Sequence, residues 1–305
     1  MTRTPPRIGL MLRTWSERGG VGVYTRNLVR ELLAVERAAE RTDEEPIEWV
    51  LLWRRAADRR DVAPTLDLAS VEQHVVRAPS LPLLGKLMWD QVAVPWAAWR
   101  LGLDVILNAK FTAPFGAPCS VVMTVHGADW WDPDEARFYG RLDTAYIRTV
   151  MPWYFRRCAA VVSVSEQSTR GFVRALGRLA ESRLRTVPFG PASHFAPIDD
   201  PVRIAAVAER YGLPARYLLT LGKPSAWERK NLDGLVAAYR RYAQRVEMPL
   251  PLVVGGPEPE RLRAALRVGL DEPGFVFPGW IEQADLPAVH AGAAVFVYPS
   301  HLEAF

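Results

Sequence analysis

Cysteine is scarce in this 305-residue chain. The two present, Cys119 and Cys158, make no framework and have no metal-ligand spacing, which excludes a disulfide scaffold and points to a reducing, cytoplasmic setting. Long apolar runs are missing as well. Nothing approaches the ~18 residues that a membrane-spanning helix needs. The start MTRTPPRIGLML has no secretory core or cleavage site, so RIGLML reads as a first buried strand. Charge of one sign is not concentrated either: the net charge is +4, with 26 Lys+Arg against 21 Asp+Glu in 1–195 and 12 against 13 in 196–305. That bias is too mild for a nucleic-acid footprint. It suits an anionic substrate or a membrane surface, and equally an arginine-rich proteome.

Lysine is the other rarity. Lys86, Lys110, Lys223 and Lys230 stand against 34 arginines, and a lysine kept in such a chain marks a need for a compact point charge. Two of the four share one loop.

What is present is ordinary globular composition, 49% hydrophobic and 24% charged. The length suggests two domains. Short apolar or β-branched runs at 7–12, 48–53, 71–77, 104–108, 120–125, 159–164 and 184–188, then at 217–222, 251–255, 274–278 and 294–299, alternate with amphipathic stretches. This is the pattern of parallel sheets with crossover helices. Helices are predicted over 21–40, 83–101, 134–157, 166–177, 202–211, 230–246, 258–269 and 282–292. The segment VPFGPASHFAPIDDP, with four prolines, reads as a linker. Two α/β domains facing each other across a cleft are expected, over 1–190 and 191–305. The last strand, AAVFVYPS, is followed by HLEAF alone, so the second domain reads as incomplete.

Two segments have the chemistry of an anion site. TWSERGGVGVYTRNLVREL places Gly19, Gly20 and Gly22 between a strand and a helix whose N-terminus suits a phosphate. The dinucleotide fingerprint is absent, since Gly20-Val21-Gly22 runs into Val23, Tyr24 and Thr25, and no acid ends the second strand. YLLTLGKPSAWERKNLDGLVAAY places Lys223 after a strand and Lys230 at a predicted helix start, where a cation opposes the macrodipole and local stability does not explain it. A diphosphate does. Asp132-Pro133-Asp134 matches a metal-holding D-x-D, but N-cap, N1 and first-turn positions explain it better, and no metal is expected. Trp15, Lys110 and Trp130 follow first-domain strands, where they could border an acceptor or simply pack. The tryptophans of LLGKLMWDQVAVPWAAW, Trp89, Trp96 and Trp99, are expected to be buried, with membrane contact as the alternative.

Taken in order, GGVGVYTRNLVREL, TVHGADWW, VVSVSEQSTRGFV, VPFGPASHF, LLTLGKPSAWERKNLDGL and FVFPGWIEQADLPAVHAGAAVFVYPSHLEAF resemble the retaining, family-4 type of nucleotide-sugar glycosyltransferase, with its GT-B architecture of two Rossmann-like domains. The resemblance spans essentially the whole chain. It implies transfer of a hexose, of mannose or glucose type, from a UDP- or GDP-sugar to a glycan or lipid-linked glycan, without cofactor or metal. The alternative is a non-catalytic nucleotide- or carbohydrate-binding fragment. By resemblance, the Gly20-Val21-Gly22 backbone faces donor phosphate and sugar, and His126 contacts the transferred sugar. Lys223, where the family often has arginine, and Lys230 neutralise the departing diphosphate. Glu303 holds sugar hydroxyls, and Trp280 and Ile281 border the nucleobase. The family's second glutamate would fall at position 311, which implies weak donor binding and negligible turnover for a chain that stops at Phe305. A cytoplasmic location, with peripheral membrane contact left open and no nucleic-acid partner, completes the reading.

Overall fold

The structure, a computed structural model, describes residues 5–17, 19–39, 46–62, 68, 70–79, 84–192 and 195–303. Residues 193–194 of the proline-rich segment and 304–305 lie outside the described residues. The chain divides into two compact units, the first ending at Phe189 and the second running Gly190–Glu303.

The first unit is built on seven strands: β1 (Arg7–Met11), β2 (Glu48–Trp53), β3 (Glu72–Val75), β4 (Val105–Asn108), β5 (Ser120–Val125), β6 (Ala160–Ser163) and β7 (Leu184–Thr186). They pair in the order β3-β2-β1-β4-β5-β6-β7, all parallel. A parallel sheet is covered on both faces, so its strands are apolar almost throughout rather than alternating. On β1 and β2, Met11, Val50 and Leu52 enter one core cluster while Leu10, Leu51 and Trp53 enter another. The period of two has sorted them to opposite faces.

Its helices are α1 (Gly20–Ala39), α2 (Ala56–Val62), α3 (Gly85–Met88), α4 (Val94–Leu101), α5 (Pro133–Ala136), α6 (Arg141–Arg157), α7 (Glu166–Leu176) and α8 (Arg178–Arg183). A π-helical segment, Trp89–Ala93, joins α3 to α4, and the Val94 N–H bonds the Trp89 carbonyl five residues back. Pro95 comes immediately after. Having no N–H, it cannot continue the α-ladder there. Gly102, left-handed at φ 61°, ends α4. The Ser165 hydroxyl accepts the Ser168 N–H at 3.1 Å and starts α7. The helix expected over 134–157 is two helices, because the chain turns extended at Gly140 before restarting. Helices α2 and α8 were not expected from the pattern.

The second unit has four parallel strands, β8 (Tyr217–Leu221), β9 (Leu252–Gly255), β10 (Phe275–Val276) and β11 (Ala293–Phe296), in the order β10-β9-β8-β11. Helices α9 (Pro201–Arg210), α10 (Leu232–Ala243), α11 (Pro259–Ala265) and α12 (Leu286–Gly292) cover it. Asp200 caps α9 by accepting from the Val202 and Arg203 N–H groups at 3.0 and 3.2 Å. Leu252 and Val254 enter one core, Val253 and Leu219 the other.

Strand order fixes where each unit can bind. In open parallel sheets the crevice opens beyond the carboxyl ends of strands, where the order reverses direction. That point lies between β1 and β4 in the first sheet and between β8 and β11 in the second.

Candidate functional site

At the first switch point the glycine segment leaves β1 and enters α1. Gly22 is buried, and a Cβ there would lie 2.0 Å from the Glu17 carbonyl oxygen. Glycine is required so that the helix can rest on the loop backbone. The loop is strapped down one turn later. The Thr25 and Thr14 hydroxyls pair at 2.7 Å, and the Arg26 guanidinium donates to the Trp15 and Glu17 carbonyls. Gly20 differs: it is exposed, and nothing lies within 4 Å of where its Cβ would be. A helix's first N–H groups have no partner within it.

His126 follows β5 and bridges to the loop after β4, its Nε2 lying 2.9 Å from the Ala109 carbonyl. A carbonyl only accepts, so Nε2 holds the proton. Burial holds the imidazole pKa below its ordinary value, and nearby Lys110 acts the same way. The ring is therefore neutral at pH 7, with Nδ1 as an acceptor. Tyr24 packs against it at 5.0 Å with planes 87° apart, and Phe189 backs Tyr24 at 5.4 Å.

Lys110 is held by the Glu17 carboxylate at 3.0 and 3.3 Å, which neutralises it in place. Trp15 is corrected: at 7% exposure it packs edge-on to Trp53 in the core, leaving no face to stack on an acceptor. Trp130 is half-buried between Phe111 and Tyr139, at 5.1 and 5.2 Å. Asp132 accepts the Asp134 N–H at 2.9 Å as the N-cap of α5.

At the second switch point two loops are laced together. Lys223 follows β8 and precedes a short 3-10 turn at Pro224–Ala226. Lys230 does not start the helix as expected. It stands in the turn before α10, and Asn231, left-handed at φ 51°, is the cap residue. The Lys230 ammonium donates to the Tyr298 hydroxyl and lies 4.3 Å from the centre of that ring. Burial lowers its pKa to about 8, opposed by the Glu303 carboxylate and assisted by the charges of Arg229 and Lys223. Glu303 accepts the Ser300 hydroxyl at 2.7 Å and faces the Arg229 guanidinium at 3.4 Å. Arg229 also donates to the Leu302 carbonyl at 2.7 Å, and Asn231 to the Pro299 carbonyl at 3.2 Å. Burial and the neighbouring Glu303 push the Tyr298 hydroxyl up to about 12, so it stays protonated.

Trp280 is half-buried, whereas Ile281 is 3% exposed in the second unit's core, so only its backbone could border a base. Sequence reasoning missed Tyr24, Arg229 and Tyr298. Arg229 is one arginine among 34 and gives no signal of its own.

Comparison with known proteins bears on the fold and on the second unit. Residues 215–305 match the family described as glycosyl transferases group 1. A curated relative, the serotype-specific mannosyltransferase WbdA of Escherichia coli, is 27% identical over 157 residues, covering 50% of this chain and 19% of the relative. The chain thus spans about a fifth of that relative's length. Among solved structures, WaaG, a glycosyltransferase involved in lipopolysaccharide biosynthesis, superposes with TM-score 0.66 at 15% identity, covering 97% of this chain and 76% of that one. Anabaena HepE in complex with UDP and glucose gives TM-score 0.63 at 16% identity, covering 98% and 76%. Two parallel α/β units of this kind define the GT-B fold. The fold is thus that of the GT-B proteins, and residues 215–305 of the second unit resemble the group 1 glycosyl transferases.

Proposed function

We propose that this chain is a glycosyltransferase that moves a hexose, of mannose or glucose type, from a UDP- or GDP-sugar to a glycan or lipid-linked glycan, with retention at the anomeric carbon. The observation that supports the reading most is the cation cluster at the second switch point. Arg229 and Lys230 are fixed by Leu302, Glu303 and Tyr298 rather than left to wander. A departing nucleoside diphosphate accumulates negative charge. Positioned cations stabilise that charge without reorganising, and removing one such group costs about 10²–10³ in rate.

In this reading Lys223, Arg229 and Lys230 hold the diphosphate, so no divalent metal is needed. Glu303 accepts sugar hydroxyls, and Trp280 borders the base. In the first unit the start of α1 at Gly20 and Val21 offers amides to the donor, and Nδ1 of His126 accepts a sugar hydroxyl. The bond from the anomeric carbon to the diphosphate oxygen breaks. The acceptor oxygen bonds the same carbon on the same face, and its proton leaves with the diphosphate. Retention and the hexose class rest on the motif resemblance, and the similarity to the mannosyltransferase WbdA supports mannose of the two. The reaction occurs in the cytoplasm.

Calorimetry with UDP and GDP tests the reading, alongside release of nucleotide from UDP-glucose and GDP-mannose. Lys230→Ala and Arg229→Ala should each weaken nucleotide binding about tenfold or more, since hydrogen bonds to charged groups contribute about 1.5–3 kcal/mol. Equal affinity in both variants would overturn the assignment of the diphosphate to this loop. Loss of transfer on EDTA treatment, restored by manganese, would overturn metal independence.

A further inference from the structure

The first unit departs from the sequence reading in two places. Only Trp89 of the three tryptophans expected inside is buried, its indole N–H donating to the Val76 carbonyl at 2.8 Å, while Trp96 and Trp99 are exposed. The second departure lies at the amino ends of β4, β5 and β6. This is the sheet edge opposite the crevice of the switch point. A cavity of about 530 Å³ opens there beside Asp104, Cys119 and Cys158, and Arg156, Arg157 and Arg183 line it.

Local folding explains how the arginines come together. Helix α6 leads into β6 and α8 into β7, so the last turns of both helices arrive at this edge. Arginine in a last turn complements the helix dipole, a contribution of about 0.3–1 kcal/mol. That accounts for each arginine singly. It does not account for three of them around one cavity without an acid to pair with. Among the described residues no carboxylate forms an ion pair with any of the three. Asp104, the one acid among the described residues of the lining, accepts the Arg7 backbone N–H through Oδ2 at 2.8 Å.

Arg157 is a fixed cation. Its Nε donates to the Phe115 carbonyl at 3.1 Å, and its Nη2 to the Ala117 and Cys119 carbonyls at 2.6 and 3.0 Å. Nη1 is left for a ligand. Arg183 reaches the Ala159 carbonyl with Nη1 at 3.5 Å, and Arg156 lies 5.3 Å over the Trp153 ring. Carbonyls and rings hold a guanidinium in place, but they do not cancel its charge. The cysteines do not cancel it either. Burial pushes the Cys158 thiol up to about 12 and raises that of Cys119, so both stay protonated.

We infer that this cavity binds a phosphate dianion, free or carried by a small sugar. Three guanidiniums against one carboxylate match a double negative charge, and the guanidinium fork matches phosphate oxygens two at a time. The volume falls within the range of small-molecule sites, roughly 300–1,000 Å³. The site goes beyond the proposed function. It lies across the first unit's sheet from Gly20 and His126, so its ligand leaves the crevice of that unit free.

Calorimetry on the 305-residue chain, titrated with inorganic phosphate and with mannose 6-phosphate, tests this. Both should bind, and both should weaken as salt is raised. Arg156→Ala/Arg183→Ala should lower either affinity about tenfold or more, since hydrogen bonds to charged groups are lost. UDP and GDP affinity and the melting profile should stay at the parent's values. Should that variant fail to fold, Ser120→Glu sets a carboxylate into the lining from an exposed position and should give the same loss. Lys230→Met should do the reverse, losing nucleotide and keeping phosphate. Tighter binding of mannose 6-phosphate assigns the cavity to a sugar phosphate, and equal binding assigns it to phosphate itself. Absence of binding by the parent would overturn the inference. So would undiminished binding in Arg156→Ala/Arg183→Ala or Ser120→Glu, which would move the anion to the lysine loop of the second unit.

Discussion

The switch points of the two units use the same topological device with opposite electrostatics. The first surrounds a buried, neutral imidazole with aromatic rings, and its one nearby lysine, Lys110, is cancelled by Glu17. The second concentrates cations against a single carboxylate, and burial, assisted by the charges of Arg229 and Lys223, pushes Lys230 toward losing its proton. A neutral acceptor with a fixed tautomer suits recognition of sugar hydroxyls. A desolvated ammonium, uncomfortable until an anion arrives, suits capture of a diphosphate.

This contrast predicts that damage to the two halves will read out differently. The largest effect on binding is expected at Lys230. Lys230→Met should weaken UDP or GDP binding about tenfold to hundredfold. Its melting temperature at pH 7 should be unchanged or higher, because the folded lysine holds its proton less tightly than the unfolded one. A matched loss of stability and binding would make Lys230 a structural residue.

The largest effect on stability is expected at Gly22. Gly22→Ala drives a methyl group into the Glu17 carbonyl and should cost about 1–3 kcal/mol, read by thermal unfolding. Gly20→Ala, in open space at the same helix start, should change the midpoint little. His126→Ala should fall between. Transfer should drop about tenfold or more, and stability should fall by about 0.5–1.5 kcal/mol as the hydrogen bond to the Ala109 carbonyl is lost. The smallest effect belongs to Lys110→Ala. Breaking its partly exposed pair with Glu17 should cost under about 1 kcal/mol and leave nucleotide affinity unaltered.

The sheets were legible because a strand buried on both faces is written as a continuous apolar run. Among the described residues, all eleven strands fall within a few residues of the sequence reading. Helix phase was less legible. Trp89 and Trp96 are seven apart and would share a face in an unbroken α-helix. The π turn at 89–93 rotates α4 by roughly a quarter turn and brings Trp96 to the surface. Pro95 is the sequence signal for that break. At the site, lysines stood out through rarity, whereas Arg229 was hidden by the abundance of its own kind. Trp15 shows the converse. An aromatic residue after a strand looks the same in sequence whether it lines a crevice or, against Trp53, closes a core.

Capture of the diphosphate by a desolvated lysine in the second unit is tested most directly by the pH dependence of UDP and GDP affinity. An unliganded pKa of about 8 means that Lys230 is charged below that pH and pairs with the anion there. Bound diphosphate raises that pKa, so binding takes up protons as the pH climbs past 8. Affinity should therefore hold steady from pH 6.5 to 7.5 on the nucleotide's own ionisation curve and decline between about pH 8 and 9.5. Lys230→Arg should abolish the decline. A decline that persists unchanged in Lys230→Arg, or no decline in the parent, would contradict the claim.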